Sequence, residues 1–424
     1  MQDKLKIAVV INDQFHPEMG GAFGYYESLV NAIDKYQFNP LLEFVFVRFS
    51  EGKDFKFKRE FLQFTFDEII PEEEHCKKRI KQINRIPFLF IKQPLRKRYE
   101  SRIPNLKIDQ EAARKMKLES WLQNNNIDLV YYLTPHGGEY NFPFVTTHWD
   151  VGHYTMYAFP EVIMNGTFER REKLYQKTYK KALAIFCESV AGENELVKYK
   201  QINPDKIYIV PLFPGKLVDL EINIEEQKSI IEQKFTLKAR QYFLYPAQFW
   251  SHKNHYNLLI AFKKVNGKYP DLKLVLPGSD KGNLEYLKEV ISNMELHFSV
   301  ILPGFISNKE LYSLYKNAIA LVMPTFLGPT NMPLLEAAFL GCPVITSCFE
   351  GHKEILGEFA TYINPLDEDE IANAMIKEYE AEEKIRKNFK NEVNTIQTAI
   401  RKVEEIFLKI RKIRKTWGGN FKQF

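Results

Sequence analysis

Three stretches in the second half of this 424-residue chain place charged and polar side chains where an expected strand ends and a helix begins. In Tyr245-Pro-Ala-Gln-Phe-Trp-Ser-His-Lys-Asn-His255, Lys253 falls at the helix start, so its ammonium and the helix dipole can both face an anion. In Pro324-Thr-Phe-Leu-Gly-Pro-Thr-Asn-Met-Pro-Leu-Leu-Glu336, Gly328, Pro329 and Asn331 make a rigid turn that exposes backbone amides. Glu336 falls one turn inside the next helix, where a carboxylate can accept two hydroxyl hydrogens; ribose hydroxyls are its natural partners. In Ser347-Cys-Phe-Glu-Gly-His-Lys-Glu354, Glu354 opens a further helix. Singly, each has an ordinary explanation: a surface lysine, or a glutamate that complements a helix dipole. At successive strand ends of one sheet they point together to a ligand, because doubly wound sheets bind at the C-terminal ends of their strands.

The first half carries two further groups. Met19-Gly20-Gly21-Ala22 lies between the first strand and first helix. Its spacing is not G-x-G-x-x-G, so it supports a dinucleotide site only weakly, but Gly20 and Gly21 let backbone approach a phosphate or sugar closely. A tight strand-to-helix turn is the other reading. Thr147-His-Trp-Asp-Val-Gly-His153 follows a strand, so Asp150, His153 and then His148 are candidates for chemistry at the sheet's C-terminal edge. The competing reading is a loop cap. H-E-x-x-H and paired-cysteine patterns are absent, so no metal is expected.

These groups need strands to hold them, and the pattern supplies them. Lys6–Ile11, Leu42–Val47, Asp128–Leu133, Phe144–Thr147, Leu183–Phe186 and Lys206–Val210 read as short, continuous apolar strands separated by helical periods, including Tyr25–Tyr36, 111–125 and Phe168–Ala182. From about 213 the chain is polar and patternless; then Gln241–Tyr245, Leu272–Leu276, Ser299–Leu302, Ala318–Met323 and Pro343–Ser347 restart the alternation. Residues 368–415 read as mostly helical. The expected fold is α/β: two doubly wound parallel sheets, each Rossmann-like, facing each other across a cleft. The expected division is a first Rossmann-like domain 1–212 with a basic insertion at about 57–110, a linker 213–240, a second Rossmann-like domain 241–395, and a C-terminal helix and basic tail 396–424.

Length and 45% hydrophobic content suffice for two cores. A net charge of +5 is too mild for a dedicated nucleic-acid binder and fits an anionic substrate or an anionic membrane surface equally. Basic residues from Lys77 to Arg102 surround Ile86-Pro-Phe-Leu-Phe-Ile91, which reads either as a solvated insertion or as a lipid-docking surface. The apolar run Leu5–Ile11 is too short to span a membrane and carries no signal-peptide cleavage pattern. Cys76, Cys187, Cys342 and Cys348 lack metal spacing, so reduced thiols and a cytoplasmic setting are expected, peripheral to the inner face of the membrane if the basic segment docks.

The stretch 241–365 resembles the donor-binding domain of family-four retaining glycosyltransferases of the GT-B fold. The resemblance rests on Pro333-Leu-Leu-Glu-Ala-Ala-Phe-Leu-Gly-Cys-Pro-Val-Ile-Thr-Ser347, on Tyr362-Ile-Asn-Pro-Leu-Asp367, and on Gln248 to Lys253 followed by Asn254. It extends more thinly over 5–35 and 143–215. It implies that Lys253 binds the diphosphate of a nucleotide sugar and Glu336 the ribose. Gly328, Thr330, Asn331 and Met332 would lie over the transferred sugar. The loop at Gly20 and Gly21 would face donor and acceptor, and the His/Asp motif at 148–153 the donor sugar or acceptor. The family usually has Glu where this chain has Gly328, and Arg where it has Gln248. Fewer charges then hold the leaving group, leaving more to Lys253 and backbone amides, with Thr330 and Asn331 as substitute sugar partners.

The implied reaction moves a sugar from a nucleoside diphosphate sugar to a hydroxyl of a glycan or lipid-linked acceptor, with anomeric retention and no metal or other cofactor. The family's usual work suggests surface polysaccharide or lipopolysaccharide synthesis, with mannosyl transfer the nearest subgroup. An epimerase or phosphorylase of the same fold, and a non-catalytic sugar-nucleotide or glycan-binding protein, are the alternatives. No nucleic-acid partner is expected.

Overall fold

A computed structural model describes residues 4–13, 15–49, 56–65, 78–84, 89–138, 140–381 and 389–417, with the side chains of 89–92 and 102–110 left aside. Cys76, Lys77, Arg85 and Ile86–Phe88, part of the basic segment, lie outside the described residues. Lys78, Arg79, Lys81 and Arg96–Arg98 of that segment are exposed.

Two parallel sheets form the frame. The first has seven strands in the order β3-β2-β1-β4-β5-β6-β7: β1 Leu5–Val10, β2 Leu42–Arg48, β3 Phe61–Gln63, β4 Leu129–Tyr132, β5 Phe144–His148, β6 Ala184–Cys187 and β7 Ile207–Ile209. The second has six strands in the order β10-β9-β8-β11-β12-β13: β8 Tyr242–Leu244, β9 Lys273–Val275, β10 Val300–Ile301, β11 Leu321–Met323, β12 Val344–Ser347 and β13 Ala360–Ile363. Every adjacent pair of the second sheet runs parallel. The cause is visible in the strands themselves. Ile7, Ala8 and Val9, like Tyr242, Phe243 and Leu244, are fully buried, as strands covered by helices on both faces must be. Each sheet reverses direction of growth beside its first strand, between β1 and β4 and between β8 and β11. Such switch points open a crevice at the strands' C-terminal ends.

By internal packing the chain forms two compact units. One comprises Met1–Asn12, Pro40–Tyr131 and Gly138–Phe144, and the other Asp13–Asn39, Tyr132–Gly137 and Val145–Phe424. The first unit holds β1, β2, β3 and most of β4. There β1 and β2 pair over six registered positions, and the Lys6 amide donates to Asp128 at 2.8 Å. The second unit holds β6, β7, the whole second sheet and nearly all of β5.

Three readings of the chain change. Phe61–Gln63 is a short, half-exposed edge strand that apolar periodicity does not reveal. Residues 213–238 are not patternless: Asn223 caps a helix at Ile224–Ser229, which continues as a wider π-turn at Ile230–Lys234 and buries Ile231. The stretch 368–415 divides into helices Glu368–Glu380 and Ile396–Arg414. The second crosses back to the chain's beginning. Its Phe407 packs edge-on against Phe186 of β6, and its Glu404 accepts from Tyr36 at 3.1 Å.

Candidate active site

The loops leaving β8 and β11 flank the switch point of the second sheet, and both belong to the second unit. After β8 a turn at Ser251–Lys253 leads, through Asn254 at φ 58°, into helix His255–Lys268. Asn tolerates this left-handed conformation. Its Nδ2 donates to Pro324 O at 2.8 Å and Pro365 O at 2.7 Å, joining the exits of three strands.

Lys253 Nζ donates to Asn331 Oδ1 at 3.2 Å. Asn331 Nδ2 lies 3.0 Å from His352 Nε2, and His352 Nδ1 lies 3.0 Å from Ser347 O. The carbonyl requires a proton on Nδ1, so Nε2 accepts from Asn331, and the amide's oxygen is thereby turned to the lysine. Burial lowers the His352 pKa to about 4, which keeps the ring neutral for this task. Burial likewise lowers Lys253 to about 8, against the pull of the Asp150 charge.

Asn331 precedes helix Met332–Phe339, which carries Glu336. Lys253 thus reaches Asn331, the residue that precedes the helix carrying Glu336. Glu336 is 6% exposed, and the Tyr315 hydroxyl donates to its Oε2 at 3.2 Å. Burial raises the Glu336 pKa to about 7, while Tyr315 and the Gly215 amide favour the ionised form. Hydroxyl donors from a ligand would lower it further.

The glycine loop comes to the same place. A Cβ at Gly21 would stand 3.8 Å from Met332 Cβ, and one at Gly20 4.0 Å from the Gln248 amide carbon. Gln248 itself is occupied: its Nε2 donates to Glu18 O at 2.6 Å and its Oε1 accepts from Trp250 at 3.0 Å. Gly328 has φ 112°, and a Cβ there would lie 2.7 Å from Asn331 Nδ2, so the turn requires glycine. Gly351 carries a second constraint, because its Cβ would collide with the Pro329 carbonyl oxygen. Gly351→Ala is expected to displace the 328–331 loop and cost about 1–3 kcal/mol, read as a lowered urea midpoint at unchanged slope.

At the exit of β5 the sequence candidates form one network. Asp150 Oδ1 accepts from the Gly152 amide at 2.7 Å and from Arg171, whose Nη2 also donates to Asp150 O at 2.8 Å. Burial opposes ionisation of Asp150, but Arg171 and the Gly152 amide override it and hold the pKa below the usual range. His153 is buried with both nitrogens engaged, Nδ1 accepting from Arg171 at 3.0 Å and Nε2 donating to Glu172 at 2.8 Å. Burial lowers its pKa to about 4. In this network His153 positions Arg171 and Asp150. His148 is fully buried, its Nδ1 3.4 Å from the Tyr175 hydroxyl, and burial lowers its pKa to about 3. The helix Thr167–Lys173 and the π-turn Leu174–Tyr179 supply Arg171, Tyr175 and Tyr179 at four-residue spacing. Tyr175 donates to Asp150 O at 2.6 Å and Tyr179 to Thr147 O at 2.8 Å.

The remaining candidates separate. Thr330 Oγ1 donates to Glu188 Oε2 at 2.9 Å. Glu354 accepts from the amides of Val190 and Ala191 at 2.8 and 3.1 Å, so its carboxylate caps helix Val190–Lys200. Arg171, Glu188, His352 and Tyr315 were not singled out in the sequence. Only Arg171 carried a usable signal, the 171-175-179 spacing that directs three polar groups to one strand end.

Two parallel α/β sheets with polar groups gathered at strand ends beside a switch point define the class: this is a GT-B glycosyltransferase fold. Residues 226–395 match the family described as Glycosyl transferases group 1. The O-antigen chain mannosyltransferase RfbU of Salmonella typhimurium is 27% identical over 195 residues, 46% of this chain and 50% of that one. The chain spans between half and two-thirds of the length of the curated relatives it first matches. WaaG, a glycosyltransferase involved in lipopolysaccharide biosynthesis, superposes with TM-score 0.59 at 14% identity over 88% of this chain and 90% of its own. Anabaena HepE, solved with UDP-glucose, superposes with TM-score 0.60 at 14% identity over 97% of this chain and all of its own.

Proposed function

We propose that this chain transfers a sugar from a nucleoside diphosphate sugar to a hydroxyl of a glycan or glycolipid, with retention at the anomeric carbon, in cell-surface polysaccharide synthesis. The observation that carries the reading is Lys253, a half-buried amine held by Asn331 at the start of the helix bearing Glu336. A cation at the start of that helix suits a diphosphate, and a carboxylate one turn on suits ribose. The mannosyltransferase relative and the UDP-glucose complex of HepE support the donor class.

As the glycosidic bond to the diphosphate breaks, the sugar becomes oxocarbenium-like and charge builds on the leaving phosphate. Lys253 and the loop amides stabilise that charge; no metal enters the proposal. The leaving phosphate takes the acceptor proton. Asp150, kept ionised by Arg171, faces the positive sugar. Acceptor binding by the first half, donor binding by the second and docking on an anionic membrane from the cytoplasmic side belong to the same proposal.

Thermal shift against UDP-, GDP-, dTDP- and ADP-sugars tests the donor. A donor at 100 times its Kd adds about 2.7 kcal/mol of stability and raises Tm. No shift with any of the four overturns the reading. For the sugar turned over, NMR of the product reads the anomeric configuration, and inversion removes the claim of retention.

A further inference from the structure

The exit of β6 carries a carboxyl that this mechanism does not use. Glu188 follows Cys187 and receives one hydrogen bond, from Thr330 Oγ1 to its Oε2 at 2.9 Å. Among the described residues no donor reaches Oε1. Thr330 adjoins Asn331, which Lys253 engages, so the carboxyl stands beside the cation's own loop. The loop cannot supply such a group from position 328. A Cβ there would meet Asn331 Nδ2 at 2.7 Å and Thr330 O at 3.0 Å, in a backbone conformation that side chains avoid.

Burial raises the Glu188 pKa to about 8, and the Asp150 charge adds to it while the Thr330 bond opposes it. At neutral pH the group therefore keeps its proton. It can accept from Thr330 at one oxygen and donate from the other. A neutral, half-buried donor and acceptor matches a sugar hydroxyl, and gives a phosphate no charge to pair with.

We infer that Glu188 is a specificity-determining residue that hydrogen-bonds a hydroxyl of the transferred sugar, with Thr330 fixing its orientation. The inference rests on the nucleotide-sugar reading of the Lys253–Glu336 site. The test uses the full chain with UDP-glucose and GDP-mannose, and then the singly deoxygenated analogues of whichever is turned over. Glu188→Ala is expected to lower kcat/KM about 10–100-fold while the Kd for bare UDP or GDP stays within about two-fold, and Glu188→Gln, which keeps a neutral acceptor and donor, is expected to lose less than Glu188→Ala. One deoxy analogue is expected to lose a similar factor with wild type and nothing further with Glu188→Ala, since the partner is already gone. Thr330→Val, which keeps the carboxyl, is expected to lose less than Glu188→Ala.

Three results overturn the inference. Wild-type kcat/KM in Glu188→Ala would do so, as would a nucleotide Kd that weakens in step with turnover. Undiminished losses for every deoxy analogue in Glu188→Ala would do so too. If wild type binds neither nucleotide nor donor, the donor reading falls first and this inference with it. Nucleotide binding by wild type together with full activity of Glu188→Ala removes Glu188 alone.

Discussion

Lys253→Ala is expected to lower sugar transfer by about 10²–10³-fold, the range seen when one preorganised donor to a developing anion is removed. The size follows from the scarcity of charge. Gln248 donates to Glu18 O and accepts from Trp250, so it brings no second cation to the diphosphate. Steady-state kinetics of nucleotide release measure the loss; a variant within three-fold of wild type would remove Lys253 from the mechanism. His352→Ala acts one bond further away, freeing Asn331 to rotate, and should give a smaller loss that falls on kcat/KM.

The same lysine sets a pH dependence. Its pKa is lowered to about 8 by burial, against the raising effect of Asp150; His252, His255 and His352 are nearby and neutral. An amine binds a diphosphate in its charged form, so affinity for UDP or GDP should fall as pH rises through about 8. Lys253→Arg stays charged over that range and should not show the fall. Titration of nucleotide Kd between pH 6.5 and 9.5 in both proteins reads the difference, with the limits of that window set about one to two units around the pKa.

Arg171→Met is expected to be the most destabilising substitution at the β5 exit, at about 3 kcal/mol, because it strands a carboxylate rather than deleting a pair. Asp150 would keep only the Gly152 amide, and His153 Nδ1 would lose its donor. Both partners are about a quarter exposed, 28% for Arg171 and 24% for Asp150, which places the cost at the lower end for buried pairs. The pH sign is definite. Asp150 has a depressed folded pKa, so its contribution is complete above the unfolded value of about 3.9 and is lost as pH falls through the folded one. The gap in urea midpoint between wild type and Arg171→Met should be full at pH 7 and shrink in acid. A gap that grows in acid would show that Arg171 does not serve Asp150.

Strand positions were legible where a strand is a short apolar run buried on both faces. Lys6–Ile11 became β1, and Ala318–Met323 contains β11. Phe61–Gln63 was not, since an edge strand half open to solvent has no such run. In the site, Lys253, Asn331 and Glu336 could be read because their loops follow strands at a switch point. Glu188 and His352 could not, because what distinguishes them is a partner more than twenty residues away, or a neighbour supplied by a different strand exit. Glu354 shows the converse: a carboxylate at a helix start looks the same in sequence whether it meets a ligand or the amides of Val190 and Ala191.

Helix Ile396–Arg414 has a consequence for how the chain is made. It lays Phe407 on Phe186, while Asn394 just before it donates to Leu212 O at 2.9 Å. A nascent chain released only as far as the second sheet therefore leaves an apolar face of the earlier sheet uncovered. Synthesis order and folding order part company here: the face around Phe186 is completed by Phe407, a residue made after the whole second sheet.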